Sequence, residues 1–409
     1  MKDNWKKNTA LFLASQTLSL FGTMLVQYAI MWHIILETQS GTMMTVYIIV
    51  AVLPTFFTSL LGGVWADRYN KKHLINLADG SIALISLIIA ISLSAGIDSF
   101  VLLMIAACIR ALGQGIQQPA VASSIPFIVP KDKLLKINGV NSSIQSGIFL
   151  ISPIASAMLM SLAPLQTLFF LDVVTASIAI VILYFFVKVK KTSTQTENVA
   201  KTSHFTELKN GLKYIKNQRY LLLLILFSAL FYIAISPMSV MSPLQVTRNF
   251  GTELWQLSAI EIALGGGMML GGILVGIWSF HNKIYSIGVA LVAIGILTVS
   301  FGLWSSFIPY LLCMTLCGIA LPYFNAPSMT LLQEKIDPNY LGRVLSVFTM
   351  LVNLALPFGM LFFGPLGDII NINYIMIGTG IVMSLLGTLY FISKTLKTAG
   401  IKNNDENKL

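Results

Sequence analysis

The chain has 409 residues, 56% of them hydrophobic and only 10% charged, with a mean hydropathy of +0.80 and a formal net charge of +10. Soluble domains carry roughly 25% charged residues, so a chain with under half that share cannot wet its own surface, and a soluble globular protein is excluded. Its three cysteines, Cys108, Cys313 and Cys317, all lie inside apolar runs, with no disulfide framework or zinc spacing among them.

Apolar runs predict an all-α membrane protein with twelve transmembrane helices, at 9–36, 42–66, 73–95, 99–126, 134–160, 166–187, 220–247, 255–279, 284–304, 307–330, 343–366 and 374–393. A bilayer core of about 30 Å takes about 20 apolar residues per helix, which each run supplies. The first run follows Lys6 and Lys7 and is far too long for a signal-peptide core, so it reads as an uncleaved span. The long polar stretch Lys188–Arg219 divides the chain into a bundle at 1–187, a linker at 188–219, and a second bundle with a tail at 220–409. From His204 to Gln218 the linker turns amphipathic: Phe205, Leu208, Leu212 and Ile215 share one face, and Lys209, Lys213 and Lys216 surround the other. That pattern predicts a helix lying on the membrane surface.

With both termini cytoplasmic, 24 of the 26 Lys and Arg residues fall on the inner side, the exceptions being Arg110 within a span and Arg248 outside. The opposite orientation would violate the positive-inside bias. The charge of +10 is therefore a topology signal rather than a nucleic-acid surface. The two halves also repeat. Pro119 and Pro130 recur as Pro327 and Pro338, and Gly63-Val64-Trp65 recurs as Gly276-Ile277-Trp278. Two similar six-helix bundles are what an alternating-access carrier uses to rock about a central site.

Between spans 2 and 3 the chain reads Gly63-Val64-Trp65-Ala66-Asp67-Arg68-Tyr69-Asn70-Lys71-Lys72. This resembles the G-x-x-x-D-R-x-G-R-K signature of the major facilitator superfamily, in the loop where that family carries it. Asn70 stands in place of the second Gly, which a left-handed backbone would tolerate, and Lys71 keeps the charge of an Arg without its planar fork. The resemblance implies a gating role for Gly63, Asp67, Arg68, Lys71 and Lys72. The Gly would permit close helix contact, and the Asp would face the positive N-terminus of span 11 near Leu341–Arg343. In span 4, Arg110-Ala111-Leu112-Gly113-Gln114-Gly115 is similar to the family's R-x-x-Q-G motif with Gly and Gln displaced by one. In span 5, Gly147 and Ser152-Pro153-Ile154-Ala155-Ser156-Ala157 loosely resembles the Gly/Pro-rich helix of the family's antiporters, with Ser156 and Ala157 where Gly is usual.

A charge at mid-membrane costs about 2.5–3.5 kcal/mol on insertion scales, so Arg110 should face the interior with a partner. Carboxyls within spans are few: Glu261 in span 8 and Asp172 in span 6 are the candidates for proton exchange, with Arg110 as an electrostatic element beside them. Asp79 in span 3 reads as structural, pairing with the basic loop or with Arg110, and His33 reads as an interfacial residue. The Gly267/Gly271 and Gly272/Gly276 spacings predict tight helix contact. Pro153, Pro237 and Pro327 are expected to bend their helices. A substrate cavity near mid-bilayer would draw on Gln16, Gln27, Tyr28, Trp32, Tyr232, Tyr323 and Asn325, a lining suited to a bulky amphipathic ligand.

No Gly-Lys dipeptide occurs, which excludes a P-loop ATP motor, and neither H-E-x-x-H nor G-x-S-x-G appears to support a membrane protease or hydrolase. The chain reads as a carrier, not an enzyme, that needs no cofactor beyond a proton gradient. Ser15-Gln16-x-x-Ser19-x-x-Gly22, Pro119-Ala120 and Tyr340-Leu341-Gly342-Arg343 are similar to the macrolide-efflux branch of bacterial drug exporters. This implies a multi-pass protein of the bacterial plasma membrane, expected to act as a monomer, whose partners are protons, the lipid bilayer and a small amphipathic substrate. An exporter or importer of a native metabolite or siderophore, and a non-transporting sensor or scaffold, are the alternatives.

Overall fold

A computed structural model describes residues 5–187, 204–278 and 282–399. The linker segment 188–203 and the tail beyond 399 lie outside the described residues. In lipid every backbone N–H and C=O must find its partner within the segment, which leaves the helix as the form for these apolar runs. The first six spans are α1 (Trp5–Thr38), α2 (Gly41–Arg68), α3 (Lys71–Ser94), α4 (Phe100–Ile128), α5 (Leu134–Leu162) and α6 (Leu165–Val181), the last continued by a π turn at Ile182–Phe186. After α7 (His204–Asn217) come α8 (Arg219–Ala234), a π turn at Pro237–Met241 and α9 (Ser242–Asn249), which together fill the seventh predicted span. The rest are α10 (Leu254–Ile277), α11 (Lys283–Phe301), α12 (Phe307–Lys335), α13 (Pro338–Ile369), α14 (Ile372–Ile392) and α15 (Lys394–Ala399). Among the described residues 12 helical stretches are long and apolar enough to cross a membrane, and no strand is present.

The helices form two compact units. The first holds α1, α3 to α6, α2 from Val46 onward, and residues 253–258; the second holds the remainder, including Ser40–Thr45 at the start of α2. Each unit repeats the same packing. In the first, α3 packs on α4 and α6, while α1 packs on α5 and α6. In the second, α11 packs on α12 and α14, while α8 packs on α13 and α14. The repeat extends to single elements: α4 and α12 are both 29 residues long, and each carries two internal prolines. The two units are thus of like construction.

Burial follows helical periodicity. On α3, Ile75, Ala78, Asp79, Ile82, Ser86 and Ile89 form the buried stripe, whereas Leu77, Leu84 and Ile88 are exposed as lipid-facing residues must be. At one end of the first unit Phe12, Ile75, Ile128 and Val187 close a small apolar core.

α7 forms at His204–Asn217, where the linker pattern predicts a helix. It packs on α13 within the second unit, with Gly211 set against the Arg343 carbonyl, Ile215 buried, and Tyr214 stacked on Tyr340 at 4.5 Å. Leu212, expected on the apolar face, is exposed with Lys213 and Lys216. The contact face is centred on the small Gly211, because a backbone without Cβ lets the two helices meet. The side chains of Phe205, Leu208 and Lys209 lie outside the described residues.

Candidate transport site and its buried charges

The first unit buries two polar constellations in its interior. One is built on Arg110 and Asp172, whose side chains are 4% and 0% exposed and form an ion pair between α4 and α6. Ser86 on α3 bridges them: its hydroxyl donates to Asp172 Oδ2 at 2.7 Å and accepts from Arg110 Nη1. Arg110 Nη2 also donates to the Thr23 carbonyl of α1 at 3.1 Å. Four helices thus converge on one guanidinium. Taking such a pair out of water costs several kcal/mol per ion unless good geometry and extra hydrogen bonds compensate, and Ser86 and Thr23 supply them. Gly22 makes room for the pair, since a Cβ there would strike Thr175 and Asp172. The expectation of an interior partner for Arg110 is met by Asp172, not by Asp79.

Asp79 is the centre of the second constellation and corrects the reading that pairs it with the basic loop or with Arg110. It is 1% exposed, and its Oδ1 accepts from Ser19 Oγ and from Gln117 Nε2, both at 2.8 Å. Its Oδ2 has no partner among the described residues. Ser19, Ser86 and Gln117 went unassigned in the sequence. A signal for two of them exists, because Asp79/Ser86 and Arg110/Gln117 are each spaced i, i+7 and so share a helix face.

Three residues of the basic loop make contacts within the first unit. Asn70 has φ −66°, so the position does not use a left-handed backbone; Asn70 caps α3, its side chain accepting from the Lys72 N–H at 3.1 Å. Lys71 is 6% exposed and sits 4.6 Å over the Phe127 ring of α4. Lys72 donates to the Tyr184 and Val187 carbonyls at 2.6 and 3.0 Å, closing the C-terminal end of α6 where unpaired carbonyls favour a cation. Arg68 is exposed, and the side chain of Asp67 lies outside the described residues. Gly63 has open space where its Cβ would be; the close approach falls to Gly62, against Gly115 and Ile116 of α4.

Sites in the second unit are less charged. Glu261 on α10 is half-buried. Tyr232 and Asn325 do come together, the phenol donating to Asn325 Oδ1 at 2.7 Å beside the packed Phe231 and Phe324 rings. Tyr323 lines a separate apolar cavity of about 500 Å³ with Trp278, Ala290 and Ile319. In the first unit Tyr28 leans on Trp32 with ring centroids 5.5 Å apart, Tyr47 donates to the Gln27 carbonyl, and Gln16 donates to Ser15. Trp32 at 0% and Gln16 at 8% exposure are packed between helices. Pro237 begins the π turn, while α5 and α12 remain continuous through Pro153 and Pro327. Gly267 and Gly271 do touch α12, against Thr315, Gly318 and Ile319, but Gly272 and Gly276 face open space, which corrects the second of the two predicted contacts.

One charged cluster was missed altogether. Asp368, at the end of α13, accepts from the N–H groups of Gly41 and Thr42 at 2.7 and 2.9 Å and from Ser40 Oγ at 2.8 Å, all at the start of α2. Arg248 of α9 pairs with it at 3.3 Å and donates to the Gly367 carbonyl at 2.7 Å. Gly364 meets Gly41 and Thr45 closely enough that a Cβ would not fit. The spacing Gly364-x-x-x-Asp368 matches Gly63-x-x-x-Asp67, and that match was the available signal. His33 Nε2 lies 3.4 Å from Asp98 Oδ2. Among the described residues no three of His, Cys, Asp or Glu gather as metal ligands would.

The sequence profile of the Major Facilitator Superfamily matches residues 9–360. The chain belongs to this superfamily. Macrolide efflux protein A of Streptococcus pyogenes is 27% identical over 390 residues, covering 93% of this chain and 95% of that protein. Macrolide efflux protein A of Enterococcus faecalis is 28% identical over 306 residues, covering 73% of this chain and 93% of its own length. Among solved structures, a D-xylose-proton symporter superposes with a TM-score of 0.71 at 15% identity, covering 96% of this chain and 99% of its own. The nucleoside transporter NupG superposes with a TM-score of 0.70 at 13% identity, covering 95% and 98%. These likenesses establish a multi-pass membrane transporter fold.

Proposed function

We propose that this superfamily member exports amphipathic drugs, macrolides among them, in exchange for protons by alternating access. The similarity to the two macrolide efflux proteins, over 93% and 73% of this chain, carries the substrate reading. Proton exchange is supported by carboxyls buried among helices, where desolvation makes protonation and deprotonation a large electrostatic event. In this reading protons from outside load a buried carboxyl, with Asp172 and Glu261 the candidates and Arg110 their electrostatic neighbour. Neutralising the site favours reorientation; on the inner side the proton leaves and drug binds. Each charge moved inward across the membrane contributes about 2.3 kcal/mol per 100 mV. The basic loop from Gly63 to Lys72 and the prolines 153, 237 and 327 belong to the conformational change, with both termini on the cytoplasmic side of a bacterial plasma membrane.

Two measurements test this. Cells expressing the chain should tolerate more erythromycin than cells carrying Asp67→Ala, and no change for any compound of a drug panel would remove the exporter reading. In proteoliposomes, drug movement should follow an imposed pH gradient and weaken in Glu261→Gln or Asp172→Asn; movement indifferent to the gradient would remove proton coupling.

A further inference from the structure

The two buried carboxyls of the first unit differ in one respect that bears on proton exchange. Asp172 has a cation in contact, whereas Asp79 has none. A buried carboxylate without a counter-charge is among the most costly groups a bilayer-spanning protein can hold, and two neutral donors on the same oxygen compensate only part of that. Of the helices packed against α3, α4 brings Arg110, already paired with Asp172 of α6, together with Gln117. α1 brings Ser19, its own acidic and basic groups Lys6, Lys7, His33 and Glu37 lying toward its two ends and its one tyrosine being Tyr28, and the π turn after α6 brings the exposed Tyr184. The basic residues of α3 itself, Lys71, Lys72 and His73, are in its first turn, about two turns from Asp79.

We infer that Asp79, not Asp172, holds the exchangeable proton of this carrier, on the oxygen that has no partner. The inference deepens the proton-coupled reading above and rests on it. In the protonated acid Oδ1, which accepts from Ser19 and Gln117, would be the carbonyl oxygen, and the unpartnered Oδ2 would carry the hydroxyl hydrogen. Proton release turns the acid into a carboxylate, with no other bond made or broken, and the new charge lies in the same unit as the Arg110–Asp172 pair. Ser19 and Gln117 are positioning residues: they bind whichever form is present and tie α1, α3 and α4 to the protonation state. Ser19 Oγ also lies 3.4 Å from Gln117 Nε2, so the three side chains form a closed triangle that loss of the proton would retune.

The test uses the full-length protein in lipid nanodiscs, with pH as the main probe and sodium as a control. Difference infrared spectra across a pH titration should show a protonated-carboxyl band that vanishes in Asp79→Asn and survives in Glu261→Gln and Asp172→Asn. Ser19→Ala, which removes one donor from the carbonyl oxygen, should move that band to higher frequency; this arm stands even where Asp79→Asn fails to fold. A band unchanged in Asp79→Asn or unmoved by Ser19→Ala overturns the assignment. So does a band lost when sodium chloride replaces choline chloride at fixed pH, which would mark a sodium site. Drug transport by the same preparations is read separately. A wild-type band with pH-independent transport overturns the coupling and leaves the carboxyl assigned, whereas pH-driven transport unaltered in Asp79→Asn overturns Asp79 and leaves the coupling.

Discussion

Arg110 shows how unequal the two ways of disturbing a buried ion pair are. With both side chains at least 96% shielded, Arg110→Met leaves Asp172 as a lone charge among apolar helices, and removing one partner of such a pair costs about 3–5 kcal/mol. The double variant Arg110→Met/Asp172→Leu removes both charges and should recover most of that loss, since an apolar replacement of a buried pair is often close to neutral. Thermal unfolding of the detergent-solubilised protein should therefore rank wild type and double variant together, well above Arg110→Met. A double variant as unstable as the single one would mean that Ser86 and Thr23, not charge balance, hold the four helices together. The sequence already required a partner for Arg110, because a mid-membrane cation demands one. It did not say which carboxyl, because Asp79 and Asp172 sit on different helices and only their azimuths around α4 decide. Asn70 was left open for a similar reason: a single residue type suits both a left-handed turn and a helix cap, and the backbone chooses.

Helix contacts discriminate between residues that look alike in sequence. Gly267 and Gly271 lie against backbone atoms of α12, whereas Gly272, one residue on, faces open space. Gly267→Leu should therefore lower the unfolding temperature markedly, forcing the helices apart at a cost of about 1–3 kcal/mol or more. Gly272→Leu should leave it unchanged or raise it slightly. Equal effects would refute the packing described for α10 and α12. Asp368 predicts another contrast. Asp368→Ala strips the first turn of α2 of its acceptor and Arg248 of its ion pair, and loss of a helix cap costs about 0.5–2 kcal/mol. Asp368→Asn keeps one acceptor oxygen and should fall between, in the same unfolding assay. Glycine spacing was legible as a tendency, but a run holding Gly265, Gly266, Gly267, Gly271, Gly272 and Gly276 offers several faces. Which face meets a neighbour depends on a rotation that local sequence leaves open. The π turn at Pro237–Met241 was equally unforeseen, since an extra residue per turn leaves no trace in an apolar run.

For the molecule as a whole, hydrophobicity was enough to read twelve spans, whereas the fold, shared with proteins of about 13–15% identity, was implied by the resemblance of the Gly63–Lys72 loop to a family signature. The physical reason is that lipid imposes one demand, internal hydrogen bonding over about 30 Å, that any apolar run of sufficient length must meet. Sidedness is the part still carried by charge alone. Cysteines introduced singly at exposed Arg68 and Lys213 should be labelled by an impermeant maleimide from the cytoplasmic face, and one at Arg248 from the opposite face. Labelling of Lys213→Cys from outside intact cells would reverse the orientation argued from the Lys and Arg distribution.

The first turn of α2 is fastened to α13 while the rest of that helix is built into the other unit. Under the alternating-access reading proposed above, the hydrogen bonds at Asp368 act as a coupling pin that must release, or α2 must flex beyond Thr45, in each transport cycle. A disulfide placed at Ser40→Cys/Asp368→Cys would weld the pin, so turnover should stop under oxidation and resume on adding reductant.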